Sequence, residues 1–316
     1  MTGYLIRRFL QAIITCLFVT IVTFGLMHIT PNDLVNLLVG SKNLNNPVAK
    51  QQVISELGLN KPLVEQYFLW LNDLIHGRFG FDYYYQQSVG ALLTERLGQS
   101  MFIVGLALII AVVLAVPIGV IQAVRRNTWI DHGFTTFSFV AYSIPTFLIG
   151  WLALYYFEDQ LGWIPNGYQI ASFHDAWSQP IQLILPVGTL AITSLANFTR
   201  YMRSAMLDQI TQDYVRTAIA KGASKRRVIY KHVLRNALIP MVTLIGLFLP
   251  TLVSGALIIE YVFNINGIGL LTTQAALNDD PGITLDTTLL LAVLTVIGSL
   301  LADISYAVLD PRVRLD

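Results

Sequence analysis

Six apolar runs, each close to the roughly 20 residues that a helix needs to cross a bilayer, divide this chain. They lie near residues 9–29, 101–124, 134–157, 181–199, 237–259 and 287–309, and only the last contains a formal charge, Asp303. Inside hydrocarbon each backbone N–H and C=O must be satisfied within its own segment, which a helix achieves. Composition agrees, since 54% of the 316 residues are hydrophobic and 12% are charged, about half the charge of an ordinary soluble domain. The fold class read from this pattern is all-α, a polytopic membrane protein with six transmembrane helices.

Charge sets the orientation. Arg7 and Arg8 precede the first run, Arg125 and Arg126 separate the second and third, nine Lys or Arg lie between Arg200 and Arg235, and Arg312 and Arg314 follow the last run. The loops near 158–180 and 260–286 contain no Lys or Arg. Short loops rich in basic residues stay inside, so both termini and the 200–236 loop are expected in the cytoplasm. The first run is too long for a secretory signal and ends in His28-Ile29-Thr30-Pro31 without a cleavage pattern, so it is read as a retained span. Cys16, the single cysteine, lies inside it, which excludes an intrachain disulfide and a cysteine-based metal site.

Residues 30–100 form an external segment too long for a simple connection and are expected to fold into helices. Pro47 and Pro62 stand where helices begin. Leu63, Val64, Tyr67, Phe68, Leu71, Leu74 and Ile75 mark an apolar face that must bury itself, and Tyr83, Tyr84 and Tyr85 suit an interfacial belt.

One charged segment with helical patterning, residues 213–240, stands between apolar runs. Tyr214, Val215, Ala218 and Ile219 share one side of a short helix, and Val228, Ile229, His232 and Val233 repeat the spacing in a second. Between them Gly222 supplies a left-handed stop and Ser224 a cap for the second helix. A loop that only fixes topology needs neither the stop nor the paired faces. The pattern is expected of a preformed element that docks into a partner's groove. The flanking spans argue against nucleic acid as that partner.

Pro117, Pro145, Pro186, Pro240 and Pro250 punctuate the spans and each removes a backbone hydrogen bond, so kinked helices around a pathway are expected. Asp303, near the cytoplasmic end of its span, suits a structural role better than a proton relay. No GxxxxGK[ST], HExxH or GxSxG occurs and the five histidines are scattered, so no active site is expected on this chain.

Taken together, the motifs resemble the inner-membrane permease subunits of binding-protein-dependent ABC importers, in the peptide and nickel branch. The resemblance rests on Tyr4-Leu5-Ile6-Arg7-Arg8, Glu56-Leu57-Gly58-Leu59 with Pro62, Pro117-Ile118-Gly119, Ser143-Ile144-Pro145, Leu161-Gly162-Trp163-Ile164-Pro165, Glu260 with Gly267-Ile268-Gly269, and Asp303 with Asp310-Pro311-Arg312. It implies a type I ABC importer permease fold in the bacterial cytoplasmic (inner) membrane. It also implies that residues 213–240 are the EAA loop, which docks on an ATPase through Asp213, Tyr214, Arg216, Thr217, Ala218, Lys221, Gly222, Ala223, Ser224, Lys225 and Arg226. Gly222 matches the loop's glycine and Ala218 its second alanine. Arg216 and Thr217 replace the general glutamate and alanine, and Leu234-Arg235 replaces a leucine-proline pair, as in the peptide-permease version.

Pro145, Glu260 and Asp303 are candidates for a pathway or structural role. The partners implied by the resemblance are a second homologous permease subunit, two ABC ATPase subunits carrying ATP and Mg, an extracytoplasmic peptide-binding protein and membrane lipid. No cofactor and no nucleic acid are expected on this chain. Oligopeptide import is the function implied, with dipeptide, nickel-chelate and glutathione permeases as alternatives in the same family. From the residues alone an ion-coupled secondary transporter or an intramembrane enzyme stays open. The expected division is 1–29 for the N-terminus and first span, 30–100 for the external segment, 101–309 for the core with its coupling loop 200–236, and 310–316 for a cytoplasmic tail.

Overall fold

The computed structural model describes the backbone of residues 2–29, 47–56, 58, 60–79, 81–82, 87–164, 178–278 and 281–309. Among them five helices are long and apolar enough to cross a membrane, and a bent helix pair makes a sixth span. Helix α1 (Thr2–Ile29) is followed by α2 (Pro47–Glu56) and α3 (Leu63–Ile75), then by a ladder in which β1 (Phe81–Asp82) pairs antiparallel with β2 (Gln87–Ser88). The second span is α4 (Val89–Val124). It starts well before the apolar run, because the Ser88 hydroxyl accepts the Ala91 N–H at 3.2 Å and caps the helix there. Helical backbone therefore begins at Val89, ahead of the apolar run that starts at residue 101.

The third run is not one straight helix. α5 (Trp129–Ser143) and α6 (Thr146–Leu154), the latter prolonged by a π-turn (Tyr155–Gln160), meet at 94°. Pro145 has no N–H to donate and forces Ile144 into extended backbone (φ −85°, ψ 128°), which ends α5. The other prolines do not break their helices. Pro117 lies within the unbroken α4, Pro186 within the first turn of α7 (Ile184–Ile210), and Pro240 and Pro250 within α10 (Leu234–Val262).

The core forms where α4 crosses α7. Ala111, Ala115, Gly119 and Ala123 recur every four residues on one side of α4 and are buried, facing the buried Phe198, Met202 and Met206 of α7. A Cβ on Gly119 would stand 2.6 Å from the Met202 Cβ and 3.0 Å from the Arg203 nitrogen, so only glycine permits this approach. Small residues matter here because lipid tails are as apolar as leucine and close packing must hold the spans together.

At the cytoplasmic ends an ion pair fixes a third helix to this crossing. Asp131 of α5, 1% exposed, accepts Arg203 Nε at 2.6 Å, Nη2 at 2.7 Å and the Asn127 N–H at 3.0 Å. Gln122 of α4 donates to the Asp131 carbonyl at 3.3 Å, and Asn127 turns the α4–α5 connection with φ 63°.

On the external side α3 lies on α1. Thr20 Oγ1 and the Tyr67 hydroxyl are 2.8 Å apart, and Phe24 meets Tyr67 edge-on at 5.4 Å. The apolar face predicted for this helix is only half used, because Leu63, Val64, Phe68 and Ile75 remain more than half exposed. Pro47 opens α2 and Pro62 immediately precedes α3, as their sequence positions suggested. Tyr83, Tyr84 and Tyr85 lie outside the described residues, as does the tail from residue 310.

The ion pair gives a stability test. Asp131→Ala leaves Arg203 partly buried without its carboxylate, a loss of about 3 kcal/mol, the lower end for a broken buried pair. Thermal unfolding in detergent should show the drop, and Asp131→Ala with Arg203→Ala should lose much less than the two single changes summed. Strict additivity would show that the pair does not join the helices.

Candidate coupling site

After α7 the chain turns at Thr211 and Gln212 into α8 (Asp213–Ala220). This helix closes as its glycine predicts: Gly222 has φ +84°, its N–H donates to the Ile219 carbonyl at 2.9 Å, and the Ala223 N–H donates to the Ala218 carbonyl at 3.1 Å. Those two bonds form a Schellman closure, which satisfies carbonyls that the helix end would leave bare. The Ser224 hydroxyl then accepts the Arg227 N–H at 3.4 Å and opens α9 (Lys225–Arg227). A π-turn (Val228–Val233) leads without a break into α10.

The apolar faces turn inward. Val215, Val228, Ile229 and Val233 are buried in the same core as Phe198, Met202 and Met206, and Tyr214, Ala218 and Ala223 pack half-buried against it. Burying these faces costs nothing in unmet hydrogen bonds and gains the usual apolar stabilisation, so the chain keeps them. Ile219 and His232, read from spacing as part of those faces, are exposed. What remains outside is a polar rim: Asp213, Arg216, Thr217, Lys221, Gly222, Ser224, Lys225 and Arg226. Arg216 and Asp213 form a loose exposed pair at 3.8 Å, and Tyr214 donates from its hydroxyl to Gln209 Oε1 at 3.0 Å.

The other predicted residues lie elsewhere. Pro145 makes the break in the third span, where the exposed Phe139 and Tyr142 of α5 stand beneath the Arg200 guanidinium at 5.4 and 5.5 Å. Asp303 falls on the last helix, α12 (Pro281–Leu309), with its side chain outside the described residues. Glu260 is not on a loop but inside α10, 1% exposed. Nor is the stretch near 260–286 a plain loop, because α11 (Ile268–Leu277) occupies it.

Glu260 holds the start of α11. Its Oε2 accepts the Gly269 N–H at 2.6 Å and the Leu270 N–H at 3.3 Å, and Ser100 of α4 bonds both the carboxylate and the Ile268 N–H. A negative group is well placed at a helix N-terminus, whose first N–H groups have no partner within the helix. The glycines flanking Ile268 are there for space. A Cβ on Gly267 would stand 2.5 Å from the Ser100 oxygen and collide with the carboxylate, and one on Gly269 would collide with the Leu257 backbone.

Sequence reasoning missed Asp131 and Arg203. The available signal was an acidic residue within the basic short loop at the start of the third run, opposite the charged end of α7. No group of three or more His, Cys, Asp or Glu converges among the described residues.

Comparison with known proteins bears on this geometry. Residues 115–315 match the family described as the binding-protein-dependent transport system inner membrane component, and residues 1–102 match the N-terminal component of such membrane proteins. The chain belongs to this family. The permease is 37% identical over 317 residues to an oligopeptide transport system permease protein of Bacillus subtilis, covering 99% of this chain and all of that one. It is 36% identical to a putative peptide permease protein of Brucella suis, with both chains covered in full. A probable peptide ABC transporter permease protein of Sinorhizobium fredii is 35% identical, over 98% of this chain and 99% of that one. The permease is thus a multi-pass inner-membrane component of ABC import, with the type I fold read from its sequence.

Substitutions at Gly222 and Gly269 test the geometry. At Gly222 nothing lies within 4 Å of a new Cβ, so the penalty is the backbone's alone, about 1 kcal/mol for a left-handed residue. Coupled transport should fall in the order Gly222, Gly222→Asn, Gly222→Ala, Gly222→Val, since asparagine tolerates this conformation best. Full activity of the valine variant would show that the turn is not needed. Gly269→Ala should lower thermal stability by about 1–3 kcal/mol through overpacking, whereas Gly105→Ala, with open space around its Cβ, should not.

Proposed function

We propose that this permease forms half of the translocation pathway of an ATP-driven oligopeptide importer and receives its power stroke through α8 and α9. The supporting observation is the division of that segment into two faces. Its apolar side is fixed in the core shared with α4, α7 and α10, and its polar rim is free. A partner that grips Arg216, Thr217, Lys221, Gly222, Ser224, Lys225 and Arg226 then moves the span ends and not a flexible loop. Asp213 belongs to the same rim, and Tyr214, Ala218 and Ala223 set the shape of the grip from behind. The partner of the required kind is a pair of ABC ATPase subunits, which hold ATP and Mg, while this chain contributes a surface whose affinity for them differs between two states of the bundle.

The names of the relatives matched along their whole length favour peptide as the cargo. An extracytoplasmic peptide-binding protein would deliver it, and a second homologous permease would complete the pathway. The 94° break at Pro145, with Phe139, Tyr142 and Arg200 beside it, is our candidate for the part of the third span that lines the route. The carboxylate of Glu260 is assigned a structural duty.

Two measurements test this reading. Affinity purification of the tagged permease in mild detergent should recover a second six-span subunit and P-loop ATPases; recovery of the chain alone after in-cell crosslinking would favour ion-coupled transport instead. In a Cys16→Ser background, cysteines at Thr217 and Lys225 should crosslink to an ATPase, and one at the buried Val215 should not. Equal crosslinking at all three positions would remove the two-faced site.

A further inference from the structure

We propose that the groove between α4, α5 and α7 at the cytoplasmic surface is a binding site for an anionic phospholipid of the inner leaflet. The groove measures about 970 Å³, at the upper end of the usual range for sites that enclose small molecules. Its walls are apolar, from Ile118 and Ile121 on α4, Phe134 and Phe137 on α5 and Leu195 on α7. Its mouth is not. Arg125, Trp129 and Tyr230 stand there, all exposed, with Trp129 at 82%.

The direction of the helices fixes the depth of each group. α4 reaches the cytoplasmic surface at Arg125 and α5 leaves it at Trp129, so Ile118 and Phe137 lie about 10 Å deeper in the hydrocarbon. An amphiphile entering from the inner leaflet meets the groove in the order charge, aromatic belt, hydrocarbon. Tyrosine and tryptophan suit that middle level because their rings are part apolar and part polar.

Two further observations point to a lipid with a negative headgroup. Tyr230 is shared with a second, shallower pocket of about 520 Å³ whose wall includes Arg226, Arg227 and Lys231. Arg125 therefore faces a cationic surface across the groove mouth. The nearby carboxylate, Asp131, is already spent on Arg203. Basic pockets between spans on the cytoplasmic side are where anionic headgroups bind. Within the groove, Thr199 is 2% exposed and its hydroxyl has no hydrogen-bond partner. It lies deeper than Ile118, because Gly119 of α4 meets Met202 and Arg203 of α7, so it marks the inner, acyl-chain end of the groove. Gly133 keeps the way open, since a Cβ there would meet nothing within 4 Å. The site sits beside Arg226 and so links the lipid to the segment that we assign to coupling, but it stands on its own geometry whether or not that assignment holds.

The test uses the complete importer in nanodiscs of phosphatidylcholine containing a fixed fraction of either brominated phosphatidylglycerol or brominated phosphatidylcholine. The Trp129 signal is taken as the difference between the wild type and Trp129→Phe. We expect stronger quenching of Trp129 by the brominated phosphatidylglycerol. Arg125→Gln and Lys231→Gln should each reduce that preference by about fivefold, the effect of one basic residue at a membrane surface. Gly133→Leu, which fills the groove without changing charge, should abolish quenching by the selected lipid, and Arg78→Gln on the external side should leave it unchanged. Equal quenching by the two lipids, or a preference that survives Gly133→Leu and the charge removals, would overturn the site. So would crosslinking of a cysteine at Phe134 to the second permease, which would make the groove a protein interface.

Discussion

The close approach of α4 to α7 is the contact on which the rest of this permease depends. Between helices in hydrocarbon there is little hydrophobic drive, so attraction has to come from atoms in tight contact. The column Ala111, Ala115, Gly119 and Ala123 lets the α7 backbone come in, and Met202 fills the space that Gly119 leaves. Every cytoplasmic feature is built outward from there. Arg203, next to Met202, reaches Asp131 and sets the start of α5. Met206, one turn on, belongs to the core that receives Val215 and Val228.

This continuity explains why the coupling segment spends its apolar side chains inward. A helix of eight residues is too short to be stable by itself. Its shape is held by tertiary burial, by the closure at Gly222 and by the cap at Ser224, and those three together leave the polar rim exposed, with Ile219 beside it. Polar and charged rims suit partners that must bind and release repeatedly. They give orientation and rate of encounter more than raw affinity.

Much of this architecture was legible in the sequence because its causes are local. An apolar run of about 20 residues announces a span by itself, and the chemistry of a glycine stop or a serine cap is decided within five residues. Pro145 announced a break for the same reason. The rest depends on partners far apart in the chain. Asp131 and Arg203 are 72 residues apart, and Ile268 finds Ser100 across 168, so neither could be paired by inspection. Spacing showed that Val215, Val228 and Val233 share faces but not which way the faces turn, because an inward and an outward amphipathic helix have the same period. Glu260 was read as a loop residue since the apolar run stops at Ile259, whereas the helix continues until its carboxylate has met the N–H groups of α11.

The path from Lys225 to Val262 contains no break in helical backbone. Its contour is about 55 Å at 1.5 Å per residue, well beyond the bilayer's core of about 30 Å. One end is in the cytoplasmic rim and the other, at Glu260, clamps α11 on the far side. Under the coupling proposed above, a displacement imposed at the rim would reach the Glu260 clamp through continuous helix, with no loop to absorb it as slack. In mechanical terms the chain has one continuous helical strut between its cytoplasmic rim and the α11 clamp.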